Sequence, residues 1–351
     1  MEFRSDNVHG VSPEILAAIG KANEGSAASY GEDELTASVE QKFCEIFERD
    51  VAVFPVVTGT AANALGLSAI SPPYGAVFCH AGSHTNVDEC GAPELYTGGA
   101  KLIGLRGVAG KYTPAHVEAV LKTFIRGVHD AKPAAMTITQ ATESGTVYSI
   151  GEISALSEFG KSRGMRMHMD GARFANALVS LDCTPAEMTW KAGIDVLSFG
   201  ATKNGAMAVE AVVFFDKSLA EDFGYRRMRA GHLVSKSRFL AAQFDAYLSD
   251  DLWLINARHA NAAAQRVKSA LEPLKGTRFP TPVEANELFP VMPAALAEAL
   301  QNEGIKIYEW PGSGDDSEAL EVGEVMMRFV TSFATTEGEL AGIEKICKFF
   351  P

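Results

Sequence analysis

The sequence predicts an α/β protein in which helices cover both faces of a largely parallel sheet. Over the first 245 residues, short apolar β-rich runs alternate with helical patterns, and such alternation is typical of a parallel sheet. The segment 51–70 shows one unit clearly, because a β-rich run, a tight polar turn and an Ala/Leu-rich run follow one another. Beyond residue 245, a long helical stretch leads to shorter mixed elements, which predicts a smaller α+β domain.

Hydrophobic spacing predicts the elements of the first part in order. Between Asp33 and Arg49, apolar residues recur at three- and four-residue steps and form one stripe, which predicts a helix. Further helices are predicted over 61–70, over 152–163 and from 174 through 178. Apolar β-rich runs predict strands at 51–57, 76–79, 135–139, 165–169, 195–199 and 211–215.

The remaining sequence predicts a second domain over 246–351, after a larger one over 1–245. Its elements are a helix at 253–274, a breaker-rich stretch at 277–282, a helix at 294–302, a strand at 305–310, a Gly/Asp loop at 312–316, a strand at 325–331 and a closing helix at 337–350. Neither an internal repeat nor a low-complexity linker separates the two parts. We therefore expect them to form one rigid body.

Composition excludes several classes of function. The 351 residues include 31 Lys and Arg against 44 Asp and Glu, and the net charge of −13 repels nucleic acids and anionic membrane surfaces. The sequence has no apolar run long enough to span a membrane and no secretory signal at its start. Five cysteines without a CxxC pair argue against a disulfide framework. We expect a soluble cytoplasmic protein whose partner is neither a nucleic acid nor a membrane.

The turn Thr58-Gly59-Thr60 lies between a predicted strand and a predicted helix. A helix N-terminus offers unpaired N–H groups and a partial positive charge, and small residues let an anion come close. The turn matches neither a GxGxxG fingerprint nor a Walker A loop, so a nucleotide has no support. The alternatives are an anion site and a simple turn capped by a threonine.

Asp170 and Lys203 each follow a predicted buried strand, at the edge where open α/β sheets bind ligands. A buried carboxylate needs a partner, which is either Arg173 in a structural ion pair or the protonated ring nitrogen of a cofactor. Lys203 has small, uncharged neighbours, and an amine shielded from water is suited to Schiff-base chemistry. Taken alone, an ordinary exposed lysine is the simpler interpretation.

His80, His84, Asp88 and Cys90 lie close together in the sequence, and three of them, His80, His84 and Asp88, suggest a metal-dependent hydrolase as an alternative. The segment is too rich in Gly and Ser for a regular helix and lacks HExxH or CxxC spacing. We therefore predict no metal. His84 is interpreted as a flat stacking ring or a proton acceptor, and a structural histidine is the alternative.

The order of these features indicates pyridoxal 5′-phosphate (PLP). The phosphate of PLP suits a helix N-terminus and its ring suits a flat partner. Its pyridinium nitrogen suits a carboxylate, and its aldehyde carbon suits a lysine. The sequence supplies a partner for each of these groups in the same order: the turn Thr58-Gly59-Thr60, His84, Asp170 and Lys203.

Several stretches follow one another along the chain: Arg4–Asn7, Tyr30–Asp33, Thr58–Asn63, His84, His168–Arg173, Thr202–Gly205 and Arg328. Together they resemble the low-specificity L-threonine aldolases, which belong to PLP fold type I and the β-eliminating lyase superfamily; phenylserine aldolases are similar. The resemblance implies a mainly parallel seven-stranded sheet. It also implies cleavage of L-threonine, L-allo-threonine or related β-hydroxy-α-amino acids to glycine and an aldehyde.

The resemblance implies roles for individual residues. Lys203 binds PLP covalently, Asp170 bonds the pyridine nitrogen and His84 stacks on the ring. The other residues assigned to the cofactor are Gly59, Thr60, Thr202 and Arg173, and those assigned to the substrate are Ser5, Arg173, Arg328 and Tyr30. The resemblance further implies a homotetramer, a dimer of dimers, in which Tyr30 and Lys236 reach a neighbouring site.

One position departs from the family pattern. Many threonine aldolases carry a second histidine in an Asn-Thr-His-Asn-Gly stretch, whereas this chain reads Ala141-Thr142-Glu143-Ser144-Gly145. The base that takes the β-hydroxyl proton is therefore either His84, directly or through water, or Glu143. The closest alternative function is a β-eliminating lyase of the tryptophanase or tyrosine phenol-lyase type, although those chains are typically much longer.

Overall fold

The computed structural model describes residues 1–312 and 319–350. Its strands are β1 (Ala52–Val56), β2 (Gly75–His80), β3 (Lys101–Leu105), β4 (Lys132–Thr139), β5 (Arg166–Gly171), β6 (Val196–Gly200), β7 (Glu210–Phe214), β8 (Glu287–Leu288), β9 (Val291–Pro293), β10 (Tyr308–Glu309) and β11 (Glu324–Val330). Its helices are α1 (Pro13–Ala22), α2 (Glu34–Ile46), α3 (Gly59–Ile70), α4 (His84–Val87), α5 (Ala92–Thr97), α6 (Pro114–Leu121), α7 (Ile150–Lys161), α8 (Phe174–Leu181), α9 (Pro185–Met188), α10 (Phe223–Arg229), α11 (Arg238–Leu248), α12 (Leu252–Leu271), α13 (Ala294–Asn302) and α14 (Glu337–Cys347).

Seven strands form the larger sheet, in the order β1-β7-β6-β5-β4-β2-β3. The pairs from β3 to β6 are parallel, and β7 is antiparallel to both β6 and β1. Parallel neighbours need long crossover connections, which the helices of this part provide. The mainly parallel α/β sheet is therefore confirmed.

The predicted elements occur within a few residues of their expected positions, with β3 as the clearest omission. This strand lies at the sheet edge, has β2 as its one neighbour among the described strands and leaves several of its residues partly exposed. Its sequence combines Lys101 and Gly104 with three apolar residues, so it lacks the continuous apolar run of a buried strand. Residues 313–316 of the predicted Gly/Asp loop lie outside the described residues.

A smaller antiparallel sheet forms around β11, which pairs with β8, β9 and β10. A second hydrophobic cluster covers it and includes Phe3, whose backbone bonds to Lys306 and Val330. Helix α12 contributes to both clusters, because Trp253 packs in the first and Val267 in the second. The N-terminal segment thus contacts the C-terminal part, and a division at residue 245 stays a prediction.

The sheet directions bring several chain segments to one edge. The carboxyl ends of β1, β4, β5 and β6 meet there, together with the first residue of the antiparallel β7. Ligands bind to open α/β sheets at such an edge. Across the described ranges, every helix is too short or too polar for a membrane crossing.

Candidate active site

A cleft of about 330 Å³ lies at this edge of the larger sheet. Its lining residues are Asn7, Val57, Thr58, Gly59, Thr60, Asn63, His84, Thr139, Ala141, Glu143, Asp170, Ala172, Arg173, Thr202, Lys203 and Glu210. Eight of the predicted site residues therefore come together. Ser5, Arg328 and Tyr30 are predicted site residues that do not line the cleft.

The N-terminus of α3 opens into the cleft. Thr58 caps the helix, since its hydroxyl oxygen accepts a hydrogen bond from the Ala61 amide at 3.1 Å. The amides of Gly59 and Thr60 have no acceptor among the described residues. A Cβ on Gly59 would meet nothing within 4 Å, so an anion can approach these amides closely.

Asp170, near the end of β5, is buried and held by two donors. Its Oδ2 accepts from the Asn63 amide at 2.7 Å, and its Oδ1 accepts from the Ala172 backbone amide at 3.0 Å. Arg173 pairs with other carboxylates instead of Asp170. The structural Asp170–Arg173 pair is therefore wrong as an interpretation, which favours a cationic ligand atom as the partner of Asp170.

His84 is held by a buried acid that the sequence did not identify. Its Nδ1 lies 2.8 Å from Glu89 Oε1, and the His84 side chain is 38% exposed while that of Glu89 is fully buried. The same Glu89 oxygen accepts from Asn63 at 2.8 Å, so a hydrogen-bonded chain runs from His84 to Asp170. The hydrogen bond to Glu89 raises the pKa of His84 above its ordinary value.

Glu143 lies between two donors at the cleft wall. Its Oε1 accepts from the His84 backbone amide at 2.6 Å and from the Thr139 hydroxyl at 2.9 Å. Burial raises the pKa of this carboxyl, and the charge of Asp170 adds to the effect. The departure from the family pattern therefore places an acid with a raised pKa against the backbone of His84.

Lys203 is carried by a tightly held turn after β6. The neighbouring Asn204 donates to the Tyr247 hydroxyl and to the Trp253 carbonyl, both at 2.8 Å. Gly205 has a φ of 116°, and a Cβ there would come 2.3 Å from the Ser12 hydroxyl. Such a fixed turn, together with partial burial, argues against an ordinary exposed surface lysine.

Glu210, the first residue of β7, is another acid without a predicted role. It is buried and accepts from the Ala201 amide at 2.9 Å, next to the turn that carries Lys203. Burial raises its pKa to about 7. The sequence offered one signal, because Glu210 is the single charge in the otherwise apolar run Val209–Phe215.

The arginines assigned to the substrate carboxylate lie in a buried ionic network. Arg173 Nε lies 2.8 Å from Asp6 Oδ2, and its Nη1 lies 2.8 Å from Glu287 Oε2. Arg328 Nη2 lies 2.8 Å from the other oxygen of Glu287. Ser5 accepts a hydrogen bond from the Asn7 amide. Asp6 and Glu287 were missed, since their partners are distant in sequence.

Tyr30 lies away from the cleft of its own chain. Its side chain is 51% exposed, and it lines a separate small cavity with Arg227 and His232. Lys236 is exposed as well. Their roles concern a neighbouring subunit and stay predictions.

The alternative metal cluster is not assembled. His80 is buried and its Nδ1 accepts from the Gly82 amide, whereas Asp88 is exposed. In residues 1–312 and 319–350, the ligating atoms that converge within 4.8 Å belong to His84, Glu89 and Asp170. The Asn63 amide donates to both of these acids, so hydrogen bonding accounts for their approach.

The residues present fit PLP. In the described part of the chain, three buried polar atoms around the cleft lack a hydrogen-bond partner: Asn63 Oδ1, Glu89 Oε2 and Glu143 Oε2. Unpaired buried polar atoms are costly, and their concentration here is typical of a site that binds a polar ligand. With the open amides of α3, the buried carboxylate of Asp170 and the fixed lysine, they define a PLP-dependent enzyme of fold type I.

Comparisons with known proteins agree with this class. The profile of the family described as Beta-eliminating lyase matches residues 2–295, and the chain belongs to this family of PLP-dependent lyases. It is 48% identical over 314 residues to the low specificity L-threonine aldolase of Pseudomonas sp. (strain NCIMB 10558), covering 89% of this chain and 90% of that protein. The Pseudomonas aeruginosa protein of the same name is 45% identical with the same coverage. A threonine aldolase structure from Leishmania major superimposes with a TM-score of 0.91 at 30% identity, covering 99% and 98% of the two chains.

Proposed function

We propose that the protein cleaves the Cα–Cβ bond of L-threonine, L-allo-threonine and related β-hydroxy-α-amino acids, including phenylserine, to give glycine and an aldehyde. The observation that carries the proposal is the shared cleft of Lys203, Asp170 and His84. It occurs in a chain that is 48% identical over 314 residues to a low specificity L-threonine aldolase.

Different residues of the cleft would bind different parts of the cofactor. PLP, when bound, supplies an electron sink for the electron pair of the broken bond. Lys203 would bind it covalently, and the amides of Gly59 and Thr60 would hold its phosphate. Asp170 would keep a proton on the ring nitrogen, because a carboxylate fixed by Asn63 is a strong acceptor for a cationic N–H.

The substrate carboxylate would bind to the planar guanidinium groups of Arg173 and Arg328. Arg173 lines the cleft, and Arg328 lies beyond Glu287, which contacts both. A guanidinium offers paired N–H donors that match a carboxylate. Fixing the carboxylate fixes the rotation about the amino acid's N–Cα bond and thereby selects which bond breaks.

His84 is the proposed base for the β-hydroxyl proton. An ionised Glu89 can only accept, so it holds the proton of a neutral His84 on Nδ1 and leaves Nε2 with its lone pair. Glu143 is the second candidate, since its Oε2 is buried without a partner among the described residues. Positioned proton transfer of this kind contributes about 10²–10⁴-fold.

The pH profile of a Glu89→Gln variant distinguishes these bases. A base must be unprotonated, so activity falls as the pH falls through the pKa of the base. Removing the Glu89 charge lowers the pKa of His84, so the acid limb of kcat should move to lower pH. The substituted amide can still accept from both His84 and Asn63, which use one oxygen of Glu89. An unmoved limb would assign the proton to Glu143, whose pKa is raised mainly by burial and further by the charge of Asp170.

Product analysis tests the proposed reaction. We expect the purified PLP-loaded protein to convert L-threonine or phenylserine into equal amounts of glycine and aldehyde, measured by chromatography. Chiral analysis of the four diastereomers would give the threo/erythro preference. Release of ammonia and pyruvate from serine or tryptophan, without glycine from threonine, would instead support the β-eliminating lyase.

We also propose a cytoplasmic homotetramer, a dimer of dimers, in which Tyr30 and Lys236 reach a neighbouring active site. Both side chains are exposed on the single chain, which leaves them available to a second subunit. Light scattering coupled to size-exclusion chromatography measures the mass, and a monomer with full activity would contradict the shared site.

A further inference from the structure

Glu287 is a buried carboxylate with no part in the proposed reaction. It begins β8, pairs in register with Val330 of β11 and is 2% exposed. One of its oxygens contacts Arg173 and the other contacts Arg328, both at 2.8 Å. A carboxylate that uses one oxygen for each of two guanidiniums occupies the same kind of position that a substrate carboxylate would take.

The hydrogen-bond donors of these arginines are only partly used. Arg173 donates from Nε and Nη2 to Asp6, and its Nη1 lies 2.8 Å from Glu287 Oε2 in an ion pair without hydrogen-bond geometry, so N–H donors remain on both terminal nitrogens. Arg328 donates from Nε and Nη2 to Glu287 Oε1, and its Nη1 has no hydrogen-bond acceptor within the described ranges. A substrate carboxylate can therefore share these guanidiniums with Glu287 only by taking the remaining donors or by displacing it.

The charges of the network already balance before a substrate arrives. The positive charges of Arg173 and Arg328 face the negative charges of Asp6 and Glu287. A third carboxylate therefore makes the group net negative, in a buried place where like charges interact strongly. An arginine pair without Glu287 would present an unbalanced positive charge to the amino acid.

We propose that Glu287 is an internal counter-ion that limits the affinity of the site for the amino-acid carboxylate by competing for Arg173 and Arg328. The inference rests on the proposed function in assigning the substrate carboxylate to these arginines. Its consequence is weak binding of every α-amino acid, the product glycine included, which favours release of product. Glu287 thus sets KM through two arginines rather than taking part in bond cleavage.

The test uses a carboxylate that lacks the amine, so that binding does not involve reaction with the cofactor. We expect 3-hydroxybutyrate to bind the Glu287→Gln holoenzyme about tenfold or more tightly than the wild type, measured by calorimetry. The KM for threonine should fall by a similar factor, while kcat changes by less than about threefold. Unchanged or weaker binding by a folded Glu287→Gln variant would overturn the proposal.

Two further variants separate charge from structure. Glu284→Gln removes a nearby charge that accepts from the Val147 amide at 2.7 Å, and it should leave the affinity for 3-hydroxybutyrate unchanged. Glu287→Met removes the charge at similar volume and should tighten binding as Glu287→Gln does. If Glu287→Gln does not fold, the affinity of the Glu287→Met variant for 3-hydroxybutyrate tests the proposal.

The wild-type enzyme offers an independent test by NMR. Competition between the ligand and Glu287 requires the Nε–H resonance of Arg328 to shift when 3-hydroxybutyrate binds. A resonance that does not move at saturation would contradict the proposal.

The outcomes distinguish this inference from the proposed function. Calorimetry with 3-hydroxybutyrate needs no turnover. A wild-type enzyme that forms no glycine would overturn the proposed reaction, while unaltered carboxylate affinity in the Glu287→Gln and Glu287→Met variants would overturn only the role of Glu287.

Discussion

Replacing Lys203 with alanine is expected to remove catalysis, with turnover falling on the order of 10³-fold or more, as for other essential nucleophiles. Lys203 is the lysine that lines the cleft, at the carboxyl end of β6. Its turn is fixed by Asn204 and by the close packing of Gly205 against Ser12, so the wild-type amine needs little reorganisation to bind the cofactor. The variant should also lose the visible absorbance of a lysine-bound PLP.

Glycine formation and the absorption spectrum measure this effect, and peptide mass analysis after borohydride reduction locates the bound cofactor. Lys191→Ala is the matched control, because Lys191 is partly exposed and pairs with Glu48 on the surface. It should keep both colour and turnover. A Lys203→Ala enzyme with unchanged spectrum and rate would show that another residue carries the cofactor.

The fold could be predicted from the sequence because its central strands have strong local signals. Strands β2, β6 and β7 are buried along their full length, and their sequences are mainly apolar. The edge strand β3 has no such signal, since one neighbour and partial exposure place few demands on its composition. The order of the strands depends on contacts between distant segments, and it was not predicted; the resemblance to a family implied only the number of strands and their mainly parallel direction.

Part of the site could be predicted because several of its residues lie next to strands that have strong local signals. Lys203, Asp170 and Thr58 follow strands directly, so position along the chain indicates their place in the fold. Asn63 and Glu89 were missed because their roles depend on where His84 and Asp170 meet in space.

Distance along the chain explains the remaining omissions. Asp6 contacts Arg173 from 167 residues away, and Asn286 contacts Asp6 from 280 residues away. The spacing of residues along the sequence does not predict a contact between segments that are so far apart. What the structure adds is a set of acids in contact with Arg173, Arg328 and His84, so that charge balance becomes a property of several residues together.

Asp170→Asn removes the negative charge proposed to face the ring nitrogen of the cofactor. It should lower turnover by about 10³-fold, with the protein still folded. An amide cannot stabilise a protonated ring nitrogen as a carboxylate does, so the electron sink weakens. The substitution also replaces one acceptor oxygen with an NH₂ group. That group faces either the Asn63 amide or the Ala172 N–H, both of which are donors, and one hydrogen bond is lost.

Asp195→Asn separates the chemical effect from the structural one. Asp195 is also a buried acid at the sheet, where it accepts from the Met167 amide at 2.8 Å and pairs with Arg166, but it does not line the cleft. We expect this control to lower the melting temperature while the folded enzyme keeps its kcat. Asp170→Asn should instead lower kcat strongly and the melting temperature only slightly, because the carboxylate at position 170 is proposed to hold a proton on the cofactor. If kcat in Asp170→Asn stayed within a few-fold of the wild type, the carboxylate would have only the structural role that Asp195 has, and another group would have to keep the ring nitrogen protonated.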